Sequence, residues 1–242
     1  MNKQHEFSKI VNTYWQEQSG TKIAFKNASF EVFINENLDE DYEVMLLEFS
    51  EDKNWVIMRL ALLERLGKKE IQKLDFVQLK SVLEKEGIIL HGADYVFYFS
   101  EEEKTRIRHL ELPENIRVLT KEDAVYFAEF ESRATEQDLD DASVDLAHWK
   151  VYGVFEAGKL VAVASMYPWD EESKIGDVGV LTLPNYRGKG YAKKLIEICS
   201  KAALLQGYEP QYRCQLDNLA SVRLAKKLTL DLFALWNVSI KL

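Results

Sequence analysis

One segment, residues 178–192, constrains the fold of this chain more than any other. It reads VGVLTLPNYRGKGYA: β-forming residues, a proline, two glycines one residue apart, and then the start of a helical pattern. Gly188 and Gly190 lack side chains, so the backbone can take positive φ and come close to a ligand. The free N–H groups of a helix start would face that ligand, and Arg187 would add a charged donor. The segment therefore predicts an anion-binding turn between a strand and a helix.

Two other phosphate-binding patterns do not fit this segment. A P-loop requires G-x-x-x-x-G-K-[ST], whereas Gly188-Lys189 is followed by Gly190 and no Ser or Thr is placed to hold magnesium. A dinucleotide fingerprint, G-x-G-x-x-G, would require a glycine at Lys193 and a strand that opens a βαβ unit. A structural turn without a ligand stays open, because a glycine-rich turn alone is weak evidence.

The elements predicted around this segment form a regular α+β order. Thr120 followed by Asp123 is a capping signal for a helix that runs through Arg133, and Glu156–Lys159 predicts a hairpin turn. The order is β-α-α-β-β-β-α-β-α-β. The remaining predicted helices are 138–146, 191–205 and 219–228, and the predicted strands are 116–119, 151–155, 160–166, 175–183, 211–216 and 232–240.

The first 110 or so residues predict a separate, smaller α+β domain without any motif that carries chemistry. The charge run Ser100–Glu114, closed by Pro113, is the expected boundary, so the predicted domains are 1–112 and 115–242. A solvated loop inside one domain is the alternative. Within this first domain the predicted strands are 30–34, 42–49 and 93–99, and the predicted helices are 55–66 and 71–86.

Composition argues against several classes of protein. The 242 residues carry a formal net charge of -9, which repels phosphate backbones, so no nucleic-acid partner is expected. No apolar run approaches the roughly 20 residues of a membrane span, and the first residues lack a signal-peptide core, so the cytoplasm is the expected location. The four histidines and two cysteines are not at metal-ligand spacing, so no metal is expected.

Two motifs in the last half of the chain resemble the GNAT acetyltransferase superfamily. Pro184–Ala192 (P-x-x-R-G-x-G-x-A) looks like the family's acyl-CoA signature, and Asn218–Leu228 (N-x-x-S-x-x-L, then K-L) looks like its N-x-x-S/A…K-L-G-F segment. The resemblance covers about residues 115–242 and includes the order of elements. It implies a mixed, mostly antiparallel sheet flanked by helices, in which the fourth and fifth strands splay apart beside a bulge.

The resemblance also implies acetyl-CoA as the co-substrate and an amine of a small molecule or peptide as the acceptor. The end of the fourth strand would pair with the pantetheine arm, the turn would hold the pyrophosphate, and the second motif would contact the arm from the far side. The cofactor-binding residues implied in this way are Leu181, Thr182, Leu183, Arg187, Gly188, Lys189, Gly190, Tyr191, Ala192, Asn218 and Ser221.

For catalysis, the resemblance implies a base that takes a proton from the amine before the amine attacks the thioester. Asp177 lies near where many family members carry such a carboxylate, although a solvated surface carboxylate is the alternative. Ala225 stands where many members carry the tyrosine that protonates the leaving thiolate. No general acid is assigned, and water, Tyr208 and Tyr212 stay open.

The expected function is therefore N-acetyl transfer by direct attack of the amine. A coenzyme A-binding sensor or scaffold without turnover stays open as a second hypothesis, because the tyrosine is missing and the base is unsettled. Residues 1–112 would wall one side of the acceptor cleft or form a homodimer contact. Two further departures from the family pattern are Asn185, where Gln or Arg is frequent, and Thr229, which replaces a glycine and predicts an altered helix stop.

Overall fold

The structure is a computed structural model that describes residues 7–20, 22–49, 53–169 and 173–240. The helices are α1 (Lys9–Ser19), α2 (Leu60–Leu66), α3 (Lys68–Ile71), α4 (Phe76–Lys85), α5 (Glu101–Arg108), α6 (Ala124–Glu131), α7 (Glu136–Ala142), α8 (Tyr191–Leu204) and α9 (Leu219–Lys227). The strands are β1 (Lys22–Lys26), β2 (Phe30–Ile34), β3 (Val44–Glu48), β4 (Asn54–Met58), β5 (Ile89–Leu90), β6 (Asp94–Phe99), β7 (Ile116–Val118), β8 (Lys150–Glu156), β9 (Lys159–Pro168), β10 (Ile175–Thr182), β11 (Glu209–Gln215) and β12 (Leu230–Ile240).

The chain divides into two compact units whose segments alternate along the sequence. The first unit contains the described residues up to Ile10, Phe97–Cys214 and Asn218–Asp231. The second unit contains Val11–Val96, Gln215–Asp217 and the described residues from Leu232 onward. The domain limits 1–112 and 115–242 stay a prediction.

The second unit is a sheet covered by helices. Its strands follow the order β1-β2-β4-β3-β12, and β5 also pairs with β12. The pairing of β2 with β4 is parallel, and the pairs β1–β2, β3–β4 and β3–β12 are antiparallel. Side chains from α2 and α4, among them Leu62, Leu63, Leu79 and Leu83, pack with Val32 and the other buried residues of the sheet.

Residues 55–66 do not form the single helix that their pattern predicted. Asn54–Met58 forms β4, which lies between β2 and β3, and the chain becomes helical only at Leu60. Val56, Ile57 and Met58 are all buried. A strand that is covered on both faces loses the alternation of polar and apolar residues, and a short apolar run then looks the same as a buried helix.

The predicted helix 71–86 begins later than its pattern indicated, since α3 ends at Ile71 and α4 begins at Phe76. Asp75 begins α4 with a capping box: its carboxylate accepts from the N–H of Gln78 at 2.8 Å, and the Gln78 side chain accepts from the N–H of Asp75 at 2.9 Å. These two local hydrogen bonds fix a helix start inside a pattern whose apolar period continues on either side.

The charge run 100–114, which was expected to be a boundary between domains, contains a helix, α5. Ser100 caps this helix by accepting from the N–H of Glu103 at 3.3 Å. Three glutamates occupy the first turn, and Arg106 and Arg108 occupy the last, which matches both ends of the helix dipole. The order of the charges, acidic before basic, was the signal for a helix.

The first unit carries the predicted mixed sheet. Its strands follow the order β6-β11-β10-β9-β8-β7; the pairs from β7 to β10 are antiparallel, and β10 and β11 are parallel. Helices α6 and α7 cover one group of core residues that includes Phe130 and Leu181, and Leu195 of α8 packs with another that includes Ala164. The predicted α+β class, a mostly antiparallel sheet flanked by helices, is confirmed.

Strands β10 and β11 pair over a short distance and then separate. Ile175–Asp177 pairs with Glu209–Gln211, whereas β10 continues to Thr182 and β11 to Gln215. The pairing of β10 with β9 is unbroken from Gly176 to Thr182. The expected gap between the two strands is therefore present, but the expected bulge beside it does not occur along β10, and that expectation was wrong.

Helix α9 ends at a left-handed residue although no glycine is present. Thr229 has a φ of 54°, and its N–H donates to the carbonyl oxygen of Lys226 at 3.2 Å. Its exposed side chain donates to the carbonyl oxygen of Leu228 at 2.6 Å. The threonine thus takes the positive φ that a glycine at this position would supply.

We expect Thr229→Gly to raise the free energy of unfolding by about 1 kcal/mol. A β-branched residue is strained at positive φ, and the exposed Thr229 side chain contributes little packing that could be lost. Urea denaturation measures the difference. Thr229→Ala, which keeps the Cβ atom, is the control and should not give the same gain; equal stabilisation by both variants would contradict the strain.

Candidate active site

A cleft of about 460 Å³ opens in the first unit where α7, β10, α8 and α9 meet. All of its lining residues belong to that unit. Strand β10 contributes Val180, Leu181 and Thr182; the turn and the start of α8 contribute Tyr186, Arg187, Gly188, Gly190, Tyr191, Ala192 and Lys193; α7 contributes Asp138, Asp141 and Ala142; and the last segment contributes Asn218, Ala220, Ser221, Arg223, Leu224 and Lys227.

The structure brings most of the predicted cofactor-binding residues to this cleft. All of them line it except Leu183 and Lys189. Leu183 is buried in the core. The Lys189 ammonium bonds both carboxylate oxygens of Glu156 at 2.9 Å. The binding role of each residue stays a prediction, since position alone does not establish contact with a ligand.

The turn before α8 leaves the start of that helix uncapped. Gly188 and Gly190 both have a φ of 82°. Gly190 is the N-cap residue and provides no side-chain cap, and the first backbone hydrogen bond of the helix runs from Lys194 N–H to the Gly190 carbonyl at 3.2 Å. Within the described ranges, no acceptor takes the N–H groups of residues 188–193. These groups are orphan donors at the positive end of the helix dipole.

The space in front of the turn is open. A Cβ atom placed at Gly188 or at Gly190 would meet no other atom within 4 Å. Uncapped N–H groups that face an open cleft are the usual environment of a bound phosphate group. The residues present here therefore fit a diphosphate.

Carboxylates of α7 hold two of the predicted binding residues. Arg187 donates to Asp138 Oδ1 at 2.8 Å and to the carbonyl oxygen of Thr182 at 3.0 Å. Asn218 Nδ2 lies 3.5 Å from Asp141 Oδ2. The sequence predicted a helix in this region but gave it no role at the site. The signal was available, because Asp138 and Asp141 are three residues apart and so share one helix face.

Asn218 also begins α9. Its side-chain oxygen accepts from the N–H of Ser221 at 3.1 Å, which is an N-cap hydrogen bond. This cap fixes Asn218 and Ser221 beside the cleft.

Asp177 lies outside the cleft, at the point where β10 and β11 separate. It is buried, and Oδ2 accepts from the Tyr167 hydroxyl and from Nε and an NH2 group of Arg213, each at 3.1 Å. Oδ1 accepts from Gln211 at 3.2 Å. Asp177 is thus neither a solvated surface carboxylate nor a residue of the cleft, and its catalytic role stays a prediction.

Neither tyrosine considered as a general acid lines the cleft. Tyr212 is buried, and burial raises the pKa of its hydroxyl, partly offset by a hydrogen bond with Ser221. The Tyr208 ring packs on Trp149 with centroids 4.5 Å apart. Ala225, at the position of the family's tyrosine, is fully buried. Neither Tyr208 nor Tyr212 is therefore placed to act as the general acid that the sequence left unassigned.

A sequence model of the acetyltransferase (GNAT) family matches residues 108–229, which is half of the chain. The chain therefore belongs to the GNAT acetyltransferase family, as the two motifs predicted, and members of this family use acetyl-CoA. No curated protein matches the sequence significantly.

Solved structures of GNAT-family proteins are similar to this chain at low sequence identity. A GNAT-family acetyltransferase from Colwellia psychrerythraea is 16% identical, with a TM-score of 0.54, over 77% of this chain and 76% of its own. A GNAT-family protein from Novosphingobium aromaticivorans is 19% identical, with a TM-score of 0.46, over 63% of this chain. The match spans 64% of that second protein, slightly less than two thirds of its length. At these identities the likeness concerns the fold alone.

Two searches of the described residues found nothing. No helix in the ranges given above is long and apolar enough to cross a membrane. Over the same ranges, no group of three or more His, Cys, Asp or Glu side chains is placed to hold a metal ion.

Proposed function

We propose that this protein transfers an acetyl group from acetyl-CoA to an amine of a small molecule or peptide, by direct attack of the amine on the thioester. One observation carries the proposal: in a GNAT-family chain, the N–H groups at the start of α8 are uncapped and face an open cleft of about 460 Å³.

In this proposal the N–H groups from Gly188 to Ala192 donate to the diphosphate, supported by the helix dipole, whereas the N–H of Arg187 already donates to the carbonyl oxygen of Pro184 at 3.2 Å. Beyond Asp177, the edge of β10 on the side of β11 has no strand partner among the residues that the structure describes. The backbone of this edge can therefore pair with the pantetheine arm as an added strand would. An N–H on that edge can also stabilise the oxyanion that develops at the thioester.

Thr182 supports this placement of the arm. Its Oγ1 is buried and has no hydrogen-bond partner among the described residues, yet the residue lines the cleft. A buried hydroxyl without a partner is unfavourable unless a ligand or water satisfies it. We therefore assign Thr182 Oγ1, with the neighbouring backbone of Leu181, to the bound donor.

A second candidate is a coenzyme A-binding sensor without turnover. Two observations favour it: Ala225 is buried where a proton donor is frequent, and Asp177 does not line the cleft. Neither observation affects binding of the cofactor, so the two candidates differ only in the chemical step.

Thiol release from acetyl-CoA distinguishes these candidates. The acceptors are spermidine, kanamycin, and peptides that offer either a free α-amine or a lysine. Acetyl transfer predicts thiol release that depends on one of these amines, together with an acetylated product detected by mass spectrometry. A sensor predicts saturable acetyl-CoA binding without release, and absence of both would contradict both candidates.

We expect Asp138→Asn to tighten acetyl-CoA binding. The change removes a negative charge from the cleft and releases Arg187 from their 2.8 Å ion pair. Because both side chains are partly exposed, solvent screening limits the gain to about threefold to tenfold at low salt, and less at high salt.

Calorimetric titration measures this change. Asp140→Asn is the matched control, since Asp140 lies on the same helix but is exposed and does not line the cleft. Its affinity should equal that of the wild type. Weaker binding by Asp138→Asn would mean that the carboxylate supports the site and does not compete with the ligand.

We also place the protein in the cytoplasm, without a nucleic-acid partner. Cys199 and Cys214 are both free and buried, as thiols in a reducing compartment can remain. The net charge of -9 disfavours phosphate backbones. A homodimer, and a role for residues 1–112 in acceptor choice, stay predictions.

A further inference from the structure

A second group of polar and aromatic side chains lies where β10 and β11 separate. Asp177 is at its centre, bound to Tyr167 of β9 and to Arg213 of β11. The guanidinium carbon of Arg213 lies 4.1 Å from the ring centroid of Trp169. Tyr167, Trp169 and Arg213 are each half-buried. Together with His148 these residues form the apex cluster, which we name for its position at the closed end of the gap between β10 and β11. Its members are His148, Tyr167, Trp169, Asp177 and Arg213.

His148 adds an imidazole with a fixed orientation. Its ring packs on Tyr167 with centroids 4.7 Å apart, and Nδ1 lies 2.8 Å from Ser165 Oγ. Ser165 is fully buried, and its Oγ also accepts from the N–H of Asp145 at 3.2 Å. These contacts hold one ring nitrogen. The other, Nε2, has no hydrogen bond to any residue in the described part of the chain.

The register of the sheet places Ser165, which holds this imidazole, one strand away from the gap at which the proposed reaction takes place. Ser165 on β9 stands directly opposite Gly179 on β10. Gly179 lies two residues beyond the last pair of β10 with β11, and the next residue, Val180, lines the cleft. The ring of His148 therefore lies over β9, on the edge of β10 opposite to the gap, and Tyr167 connects it to Asp177 at the closed end of the gap.

Burial sets the protonation state of the ring. Burial is the main cause that lowers the pKa of His148 from its ordinary value, and the negative charge of Asp145 partly offsets this shift. The other titratable groups that face the ring are the Tyr167 hydroxyl, whose own pKa burial raises, and behind it the ion pair of Asp177 and Arg213. At neutral pH the imidazole is therefore uncharged and able to accept a proton.

We propose that His148, and not Asp177, accepts the proton from the acceptor amine on Nε2, with its own proton on Nδ1 donated to Ser165 Oγ and with Ser165 and Tyr167 orienting its ring. The proposal rests on the proposed function. Asp177 already accepts hydrogen bonds on both oxygens, whereas Nε2 of His148 has none within the described residues. Asp177 is then a positioning residue, which acts by holding the hydroxyl of Tyr167.

The step balances without any further reactant. The ammonium gives one proton to Nε2, and the nitrogen lone pair then forms the C–N bond to the thioester carbon as the C–S bond breaks. The second proton that the nitrogen loses goes to the departing thiolate. The imidazolium returns its proton to solvent, so the reaction yields the amide, the free thiol and one proton.

We expect His148→Gln to lower kcat by about 100-fold or more with whichever panel amine the wild type acetylates, because a general base contributes about 10²–10⁴-fold. Acetyl-CoA affinity should stay within about twofold of the wild type. In the wild type, kcat/KM should fall as the pH drops through the lowered pKa of His148, since a protonated imidazole cannot accept; the variant should lack that fall.

A matched control comes from a histidine elsewhere in the first unit. His109 ends α5 and contacts the carbonyl oxygen of Thr105 on its own helix, so it is not part of the apex cluster. His109→Gln should keep both the rate and the pH profile. Imidazole added to His148→Ala should restore part of the activity, which a purely structural role would not produce.

A measurement without turnover completes the test. The imidazole C–H resonance that His148→Gln removes from the NMR spectrum identifies the ring, and saturating acetyl-CoA should shift it. An unmoved resonance, or full activity of His148→Gln with an unchanged pH profile, would overturn the proposal. If Asp177→Asn, and not His148→Gln, removes the fall of kcat/KM at low pH, then Asp177 is the base. If the wild type does not bind acetyl-CoA, the proposed function itself is wrong, and the calorimetric titration detects this outcome separately.

Discussion

Gly190→Asp should weaken acetyl-CoA binding by at least about 100-fold, roughly 2.7 kcal/mol, while the protein remains folded. Gly190 is the N-cap of α8, with a φ of 82°, and a Cβ there would meet no atom within 4 Å. Aspartate tolerates left-handed backbone better than most residues. Its carboxylate would compete for the open N–H groups and repel a diphosphate at the same position.

Gly190→Asn is the control for this result, because it has the same size and the same backbone preference but no charge. It should keep most of the affinity, and the ratio between the two variants should shrink as salt is added. Equal losses in both variants would attribute the effect to shape. Binding like that of the wild type in both would place the diphosphate elsewhere.

Gly179→Ala should lower the free energy of unfolding by about 3 kcal/mol and weaken acetyl-CoA binding as well. The new Cβ would lie 2.0 Å from the carbonyl oxygen of Ala142 and 3.1 Å from that of Ser143. Both are backbone atoms at the end of α7, so the clash can be relieved only by moving that helix. Helix α7 carries Asp138 and Asp141 along the cleft, and its displacement would deform the site.

The same strand offers a control for this substitution. A Cβ at Gly176 would approach Sδ of Met166 to 2.6 Å, but that atom is at the end of a flexible side chain. Gly176→Ala should therefore cost less than half as much as Gly179→Ala. Urea denaturation of both variants gives the comparison, and a Gly179→Ala protein within about 1 kcal/mol of the wild type would contradict the close packing of α7 on β10.

The sequence predicted best where short-range chemistry decides the structure. The turn at 184–190 follows from a proline and two glycines, and the helical start after Thr120 follows from its capping side chain. All of these signals lie within a few residues of the structure they produce. For the same reason the family motifs could be recognised, since they are local segments.

The predictions failed where burial or charge order overrode the local pattern. Residues 54–58 have the apolar content of a buried helix but form a central strand, which depends on neighbouring strands far along the chain. In the run 100–114, charge density suggested a boundary through which no helix runs, although the charges follow the dipole of α5.

Contacts between distant residues could not be predicted at all. Arg187 and Asp138 are 49 positions apart, Asp177 and Arg213 are 36 apart, and the pairing of His148 with Ser165 spans 17. Each contact depends on the register and packing of separate elements. These contacts alter the expected site: they pair Arg187 with a carboxylate, surround Asp177 with donors, and orient the imidazole of His148, which we propose as the base.

The central claim is that the open N–H groups at the start of α8 bind the diphosphate of acetyl-CoA. The direct measurement is a titration of the amide NMR spectrum with acetyl-CoA, and separately with inorganic pyrophosphate. The amide resonances of Gly188 to Lys193 should shift in both titrations. The amide resonances of Leu181 and Thr182 should shift only with acetyl-CoA. Amides at the start of α8 that stay unchanged while acetyl-CoA saturates the protein would contradict it.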